Sequence, residues 1–314
     1  MMNHYDVLCI GTALIDSIIR GFDDQPVSAS GYRAEASSLH VGGEAVNVSM
    51  AAAKLGLKAG ILCSIGEDAA GDLIKASLEK CGVDTGRMIR SAERQTPVTT
   101  MFVNPDGSRK SITTASHRYN FHPERYTDAF DNTKVVCLGS LFRNPFDDPE
   151  AVYSLVKAAR EKGCIVVADT KLPNRKPLRL EDYGQALPFI DYITPNEDEA
   201  VYCTGSRDPE EAADSFLRAG VRNVILKLGE KGCFFKSHEE QIILPACDIQ
   251  AVDATGAGDN FLAGFISELL KGKKTYEALR FANACGAICT SAAGAGTALK
   301  SREQVRTFLG RIRD

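Results

Sequence analysis

The sequence has few of the features that mark membrane, exported or nucleic-acid-binding proteins. No uninterrupted apolar run in its 314 residues approaches the ~18 residues that a membrane-spanning helix needs. The N-terminus shows no basic segment followed by a cleavage site. The formal net charge is only −4, which argues against nucleic acid as the main partner. With 44% hydrophobic residues, the composition is that of a soluble globular protein with ample material for a large core.

The cysteines also lack a pattern that would indicate a disulfide framework or a redox motif. The chain has ten cysteines, and none forms a C-x-x-C pair. Cys9, Cys63, Cys137 and Cys164 lie inside apolar runs, which predicts buried, reduced thiols. Reduced thiols favour a cytoplasmic location.

The common phosphate-binding motifs are missing as well. In the dinucleotide fingerprint G-x-G-x-x-G, the third glycine would have to stand at Phe261. The segment Lys273–Thr275 is similar to the end of a P-loop, but the first glycine of that motif would fall at Ser267. The sequence set of the protein kinases is also not found.

One Gly-rich turn does lead directly into an amphipathic helix, between Val252 and Leu270. Apolar residues recur there at helical spacing from Phe261 onward, and Gly272 ends the pattern. The small residues of the turn, 255–258, let the backbone approach a ligand closely. The free N–H groups and the dipole of a helix start bind anions. The sequence therefore predicts an anion site at this helix, although a well-capped helix after a tight turn is the simpler alternative.

Asp259 falls in the first turn of this helix, where a bound phosphate would repel a carboxylate. A carboxylate in that place is better explained as a base, which takes a proton from the group that attacks the phosphate.

A second glycine-rich start precedes an Ala-rich helix. Gly42 and Gly43 are followed by Asn47 in the first helical turn, and Gly56 ends the pattern. The residues alone leave two possibilities open, a simple tight turn and a site in which Asn47 faces a ligand.

Together the two stretches resemble the signatures of the ribokinase/PfkB carbohydrate kinases. The family pattern D-T-x-G-A-G-D is written here as Asp253 to Asp259, with Ala254 where threonine is usual, a position that is not catalytic in the family. The second signature is Gly-Gly with an asparagine four residues later. A turn over Ile65–Gly71 also resembles the family, so the likeness covers nearly the whole chain. It implies a sugar kinase similar to fructokinases.

The order of strands and helices predicts an α/β fold. Apolar strands and amphipathic helices alternate from residue 134 onward, which indicates a mostly parallel sheet covered by helices on both faces, a three-layer doubly wound arrangement. We expect one domain over 1–314, because no linker or repeat divides the chain. Segments of about 16–39 and 97–117 alternate as exposed strands do, and the resemblance implies that they form a small lid sheet through which the protein makes a homodimer.

The resemblance also implies a role for each matching residue. The catalytic group is Asp259 as base with an anion hole from the amides of Gly256, Ala257 and Gly258. The sugar contacts are Asp16, Gly42, Gly43 and Asn47. The ATP contacts are Lys227, Gly229, Gly232 and Asn283. Magnesium is held through water by Asn196 and Glu199, and a monovalent cation, potassium in many members, lies at Asp253, Thr255, Cys289, Ala292 and Gly294. From the residues alone, Asn196 and Glu199 are better explained by a helix start whose acids offset the dipole, and 227–232 is consistent with a hairpin turn.

The substrate stays open. A glutamate that touches the sugar in ribokinases is missing from the corresponding region, Gly139–Arg143, which is more similar to fructokinases. Arg33, Arg118 or Arg143 would suit a carboxylate or phosphate, as in 2-keto-3-deoxygluconate kinases or sugar-phosphate kinases. A nucleoside kinase of the same family is an alternative. A sugar-binding regulator without catalysis is an alternative of another class, against which the intact Asp259 argues.

Overall fold

An eight-stranded sheet forms the centre of the protein, in a computed structural model that describes residues 4–21, 34–104, 108–114 and 121–311. Its strands in spatial order are β14 (Gln241–Leu244), β13 (Cys233–Ser237), β12 (Asn223–Lys227), β11 (Tyr192–Ile193), β10 (Ile165–Thr170), β9 (Thr133–Leu141), β1 (Tyr5–Ile10) and β4 (Ala59–Leu62). Neighbours from β4 to β12 are parallel, whereas β13 and β14 pair antiparallel. The predicted mostly parallel sheet is confirmed, with a hairpin added at one edge.

Helices cover both faces of this sheet. They are α1 (Glu44–Lys54), α2 (Ala69–Lys80), α3 (Pro149–Glu161), α4 (Glu197–Thr204), α5 (Pro209–Arg218), α6 (Ala257–Leu269), α7 (Thr275–Thr290) and α8 (Arg302–Leu309). Successive residues of β1 serve opposite faces, because Leu8 packs in the core under α3 and α5 while Val7 packs in the core under α1 and α6. The three-layer, doubly wound fold is therefore confirmed. Within the described ranges, no helix has the length and apolar character to cross a membrane.

The helix α3 shows why the sequence forms these layers. Asp148 caps it, since its Oδ1 accepts bonds from the amides of Glu150 and Ala151, and a proline at the first helical position suits the helix start. Its buried residues recur three and four apart and form one apolar face against the sheet. Local caps and one apolar stripe are enough to place the helix.

A separate four-stranded sheet lies over the carboxyl end of the large one. Its order is β3 (Ala36–Gly42), β2 (Leu14–Arg20), β7 (Val98–Val103) and β8 (Arg109–Thr113), and only the central pair β2–β7 is parallel. Strand β2 begins slightly before the predicted segment 16–39, and strand β3 ends slightly after it. Parts of both predicted segments, 22–33, 105–107 and 115–117, lie outside the described residues. Dimerisation through this sheet stays a prediction. A further pair, β5 (Ser64–Gly66) and β6 (Ile89–Ser91), completes the described strands.

Candidate active site

A cavity of about 600 Å³ lies between the two sheets. Residues at the exits of three parallel strands line it, namely Thr12 after β1, Ser140 in β9 and Lys171 after β10, and so do residues of the small sheet such as Thr99 and Met101. Ligands of doubly wound folds bind at this carboxyl edge. Three side chains predicted to share a site line this one cavity: Asp16, Asn47 and Asp259.

The start of α6 has the shape of an anion cradle. Gly256 adopts φ 77°, and a Cβ atom there would come within 2.2 Å of the Cβ of Ala295, so only glycine fits. The side chain of Asn260 holds the turn, because its Nδ2 donates to the carbonyls of Gly256 at 2.8 Å and Ala295 at 2.9 Å. The amide of Ala257 already donates to Ala254, at 3.2 Å. Of the three predicted amides, those of Gly256 and Gly258 are the two without an acceptor among the described residues.

Asp259 lies beside this cradle, at the wall of the cavity. Its Oδ2 accepts a 2.7 Å hydrogen bond from Nδ2 of Asn47, which joins the two signature segments. Burial, together with the negative charges of Glu44 and Asp169, raises the pKa of Asp259 from 3.8 to about 7, against the opposing effects of Lys171 and Asn47. A carboxyl group with a pKa near neutrality suits a general base. The prediction that Asn47 binds the sugar stays open, since its amide nitrogen contacts Asp259 here.

An ion pair that the sequence reasoning missed also lines the cavity. Nζ of Lys171 lies 3.5 Å from Oε1 of Glu44. Burial alone would lower the pKa of Lys171, but the charges of Glu44, Asp259 and Asp169 outweigh it and raise that pKa. Glu44 directly follows the glycine pair, and Lys171 follows the Asp169-Thr170 strand exit. The position of each residue at the end of a turn or strand was a signal for a candidate site residue, but no local pattern pairs Glu44 with Lys171.

Asp16 lies in β2 and lines the cavity, with its carboxylate close to Gly42 of the neighbouring strand β3. A Cβ atom at position 42 would lie 2.3 Å from Oδ2 of Asp16, so glycine is required for the carboxylate to keep its position. Burial and the charge of Glu44 raise the pKa of Asp16 to about 6, while His40 lowers it. The geometry leaves Asp16 as a hydrogen-bond acceptor on the cavity wall, and its role in sugar binding stays a prediction.

The residues predicted to hold magnesium form a helix cap. The amide of Glu199 donates to Oδ1 of Asn196 at 2.9 Å, and Oε2 of Glu199 accepts from the amide of Asn196 at 2.9 Å and from the hydroxyl of Thr170 at 2.8 Å. Burial and the charge of Asp169 raise the pKa of Glu199. Within the described residues, no group of three or more His, Cys, Asp or Glu side chains is arranged to hold a metal. A magnesium ion bound through water stays a prediction for this pair.

Among the residues predicted to contact ATP, Lys227 lies beside the cradle. A Cβ atom on Gly258 would lie 3.2 Å from its Nζ, which also contacts Oδ1 of Asp169 at 2.6 Å. Gly229 and Gly232 both have positive φ in the turn between β12 and β13, the hairpin that the residues alone had left open. Asn283 lies in α7, and its Nδ2 donates to the carbonyl of Pro245 at 3.1 Å.

The segment predicted to hold a monovalent cation is tied to the anion cradle through Asp253. Its Oδ1 accepts from the amide and hydroxyl of Thr255, at 3.0 and 2.7 Å, and its Oδ2 accepts from the amide of Gly294 at 3.1 Å. The thiol of Cys289 lies 3.5 Å from the carbonyl oxygen of Thr255. Ala292 belongs to the same turn after α7. The structure brings these residues together, and potassium binding stays a prediction.

Of the three arginines considered for an anionic substrate, Arg143 lines the cavity. Its Nε donates to the carbonyl of Leu172 at 2.6 Å. Arg33 and Arg118 lie outside the described residues.

An anion cradle, a carboxylate of raised pKa and a polar cavity at the carboxyl edge of a doubly wound sheet define an enzyme that phosphorylates small hydroxylated molecules. Comparison with known proteins gives the same class. Residues 5–302 match the family model described as "pfkB family carbohydrate kinase", and the chain belongs to this family of ATP-dependent sugar kinases.

Curated relatives and a solved structure agree with this assignment. The chain is 31% identical to a ribokinase of Haemophilus influenzae, over 85% of this chain and 87% of the relative. It is 28% identical to a 2-dehydro-3-deoxygluconokinase of Bacillus subtilis, over 84% of each chain. The structure of Arabidopsis thaliana ribokinase complexed with ribose and ATP superposes with a TM-score of 0.87 at 25% identity, covering 99% of this chain and 100% of that one.

Proposed function

We propose that the protein transfers the γ-phosphoryl group of ATP to a hydroxymethyl group of a small sugar, with Asp259 as the general base. The observation that carries the proposal is the position of Asp259. It lies in the first turn of α6, beside the cradle amides and on the wall of the 600 Å³ cavity that would hold the sugar. A base must reach both the acceptor hydroxyl and the site of the migrating phosphoryl group.

The reaction requires one proton transfer and one displacement. Asp259 takes the proton of the acceptor hydroxyl, whose oxygen forms a bond to the γ-phosphorus while the bond from that phosphorus to the bridging oxygen of ADP breaks. The amides of Gly256 and Gly258 donate to the oxygens on which negative charge develops, as in an oxyanion hole. Asn47 keeps the carboxylate oriented through its 2.7 Å bond. The small sheet above the cavity excludes water, which would otherwise accept the phosphoryl group.

The remaining predicted residues fit supporting roles. Lys227 lies beside Gly258, where a cation neutralises phosphate charge. Magnesium, when bound with the nucleotide, supplies further neutralisation, and the Asn196–Glu199 pair would hold it through water. Asp253 already links the turn after α7 to the cradle, so a potassium ion there would stiffen the same loop.

The test is the variant Asp259→Ala under saturating substrates. We expect turnover to fall by at least about two orders of magnitude, the scale of lost general-base catalysis, while the variant still binds ATP and still unfolds in one cooperative transition. Asp248→Ala, on an exposed loop, is the matched control and should keep full activity. ADP release above about a tenth of the wild-type rate would remove Asp259 from the role of base. Sugar binding without ADP release by the wild type would favour the non-catalytic regulator.

A further inference from the structure

One corner of the cavity carries positive charge that the proposed reaction does not use. We name it the arginine corner and define it by five cavity-lining residues: Ser140, Arg143, Asn144, Asn174 and Arg175. Two loops build it, one at the end of β9 and one after β10. All five side chains have polar groups, so the corner is suited to a polar part of a ligand.

Hydrogen bonds between the two loops hold the arginine corner in place. Nε of Arg143 donates to the carbonyl of Leu172 at 2.6 Å, across from one loop to the other. In the opposite direction, Nη1 of Arg175 contacts Oδ2 of Asp147 at 3.2 Å, and Nζ of Lys176 donates to the carbonyl of Asp147 at 3.2 Å. Because its backbone partner fixes Nε, the guanidinium of Arg143 is held in one place before any ligand arrives.

The charges of the cavity leave Arg143 without a counter-ion. Lys171 pairs with Glu44, and Arg175 pairs with Asp147. Arg143 has no carboxylate partner among the residues that the structure describes. Its guanidinium is permanently charged, and its N–H groups form a fork that matches the two oxygens of a carboxylate or phosphate.

Ser140 provides an independent observation in the same corner. It has φ 66°, a left-handed conformation that is uncommon for residues other than glycine, and it is 2% exposed. Its Oγ is one of two buried side-chain polar atoms that have no hydrogen-bond partner in the described parts of the chain. Strained backbone and unpaired buried polar groups concentrate where ligands bind, because there they are not selected for stability.

We propose that the acceptor carries an anionic group, a carboxylate or a phosphate monoester, which Arg143 binds in the arginine corner. The inference rests on the proposed function and narrows it, since the acceptor is then a sugar acid or a sugar phosphate and a neutral sugar is a poor substrate. Arg143 determines specificity at one part of the acceptor, while Asp259 acts on a hydroxyl group of the same molecule.

The test compares matched acceptors with the wild type and with Arg143→Met. Fructose, fructose 6-phosphate and 2-keto-3-deoxygluconate serve as neutral, phosphorylated and carboxylate probes, followed by ADP release and, without ATP, by calorimetric binding. The wild type should prefer one anionic probe over fructose by at least about tenfold in kcat/KM. Arg143→Met should lower kcat/KM and affinity for that probe roughly 10- to 100-fold, the effect of one lost charged hydrogen bond, and leave fructose unchanged. Comparison of the two anionic probes shows whether the site prefers a phosphate or a carboxylate.

Arg207→Met is the matched control, because Arg207 is exposed and does not line the cavity. Arg143→Lys keeps the charge without the fork and should restore part of the preference. The inference is overturned, and the proposed function stands, if fructose is phosphorylated with the same kcat/KM as the anionic probes and Arg143→Met leaves the ratio of these kcat/KM values unchanged. If an anionic probe binds in an Arg143-dependent manner and no probe gives ADP release, anion binding by Arg143 stands and the proposed phosphoryl transfer fails. No binding of any probe counts against both.

Discussion

The raised pKa of Asp259 predicts that its ionised side chain destabilises the folded protein above neutral pH. Its pKa rises from 3.8 to about 7 on folding, so the folded state binds the proton more tightly than the unfolded chain does. The resulting penalty is absent below the unfolded pKa, grows as pH rises and is complete above the folded pKa. A difference of roughly 3 units corresponds to about 4 kcal/mol. Asp259 is partly exposed to the cavity, where water screens its charge, so we expect about 2–4 kcal/mol at pH 8.5.

The perturbation that reveals this penalty is Asp259→Asn, which removes the charge but keeps an oxygen for the hydrogen bond from Asn47. Urea unfolding should show the variant more stable than the wild type, by a margin that grows by about 2 kcal/mol between pH 5 and pH 8.5. Asp248→Asn, in an exposed loop, should show no such pH-dependent gain. If Asp259→Asn is equally stable or less stable than the wild type at pH 8.5, the carboxyl group is not raised in pKa by its surroundings and the reasoning is wrong.

Three further predictions concern activity. The value of kcat/KM should rise with pH to a plateau above about 7, because Asp259 must be ionised to act as a base. Lys171→Met should move the midpoint of this rise to higher pH, since Lys171 lowers the pKa of Asp259, and an unmoved midpoint would contradict this. If Asp253 and its loop hold a potassium ion, the rate should be higher in potassium than in sodium at fixed ionic strength, and equal rates would exclude this cation site. Asp16→Asn should raise the KM of the acceptor by roughly one to two decades and leave that of ATP unchanged, because a lost charged hydrogen bond is worth about 1.5–3 kcal/mol. An equal change in both KM values would place the acceptor site elsewhere.

The sequence predicted the parts of the fold and site that depend on local chemistry. The cradle of α6 follows from a run of small residues before an apolar helical repeat. The parallel strands were readable because buried strands are continuous apolar runs between amphipathic helices. The second signature segment was different, because the residues from Gly42 to Asn47 alone left a simple turn and a ligand site open, and only the resemblance to the family indicated a site.

Contacts between distant segments were not readable from the sequence. The bond between Asn47 and Asp259 joins residues 212 positions apart, and no local pattern predicts such a contact. The pair of Glu44 and Lys171 was missed for the same reason. Where one local pattern fits two structures, the sequence left both open: Asn196 begins an acidic helix turn that suits a cap as well as a metal ligand, and the structure shows the cap.

Two lysines near Asp259, the proposed base, would counteract what a bound phosphate does to its pKa, in addition to their ion pairs with Glu44 and Asp169. Asp259 already has a pKa of about 7 without a nucleotide, because burial and nearby carboxylates disfavour its charged form. A phosphate placed in the adjacent cradle would add negative charge and raise that pKa further, so that the base would be protonated and inactive at neutral pH. Lys171 lowers the pKa of Asp259, and Lys227 lies at the cradle itself, 3.2 Å from where a Cβ atom of Gly258 would stand. Both cations therefore oppose the effect of the phosphate, and we expect that the base remains ionised in the complex because they are there.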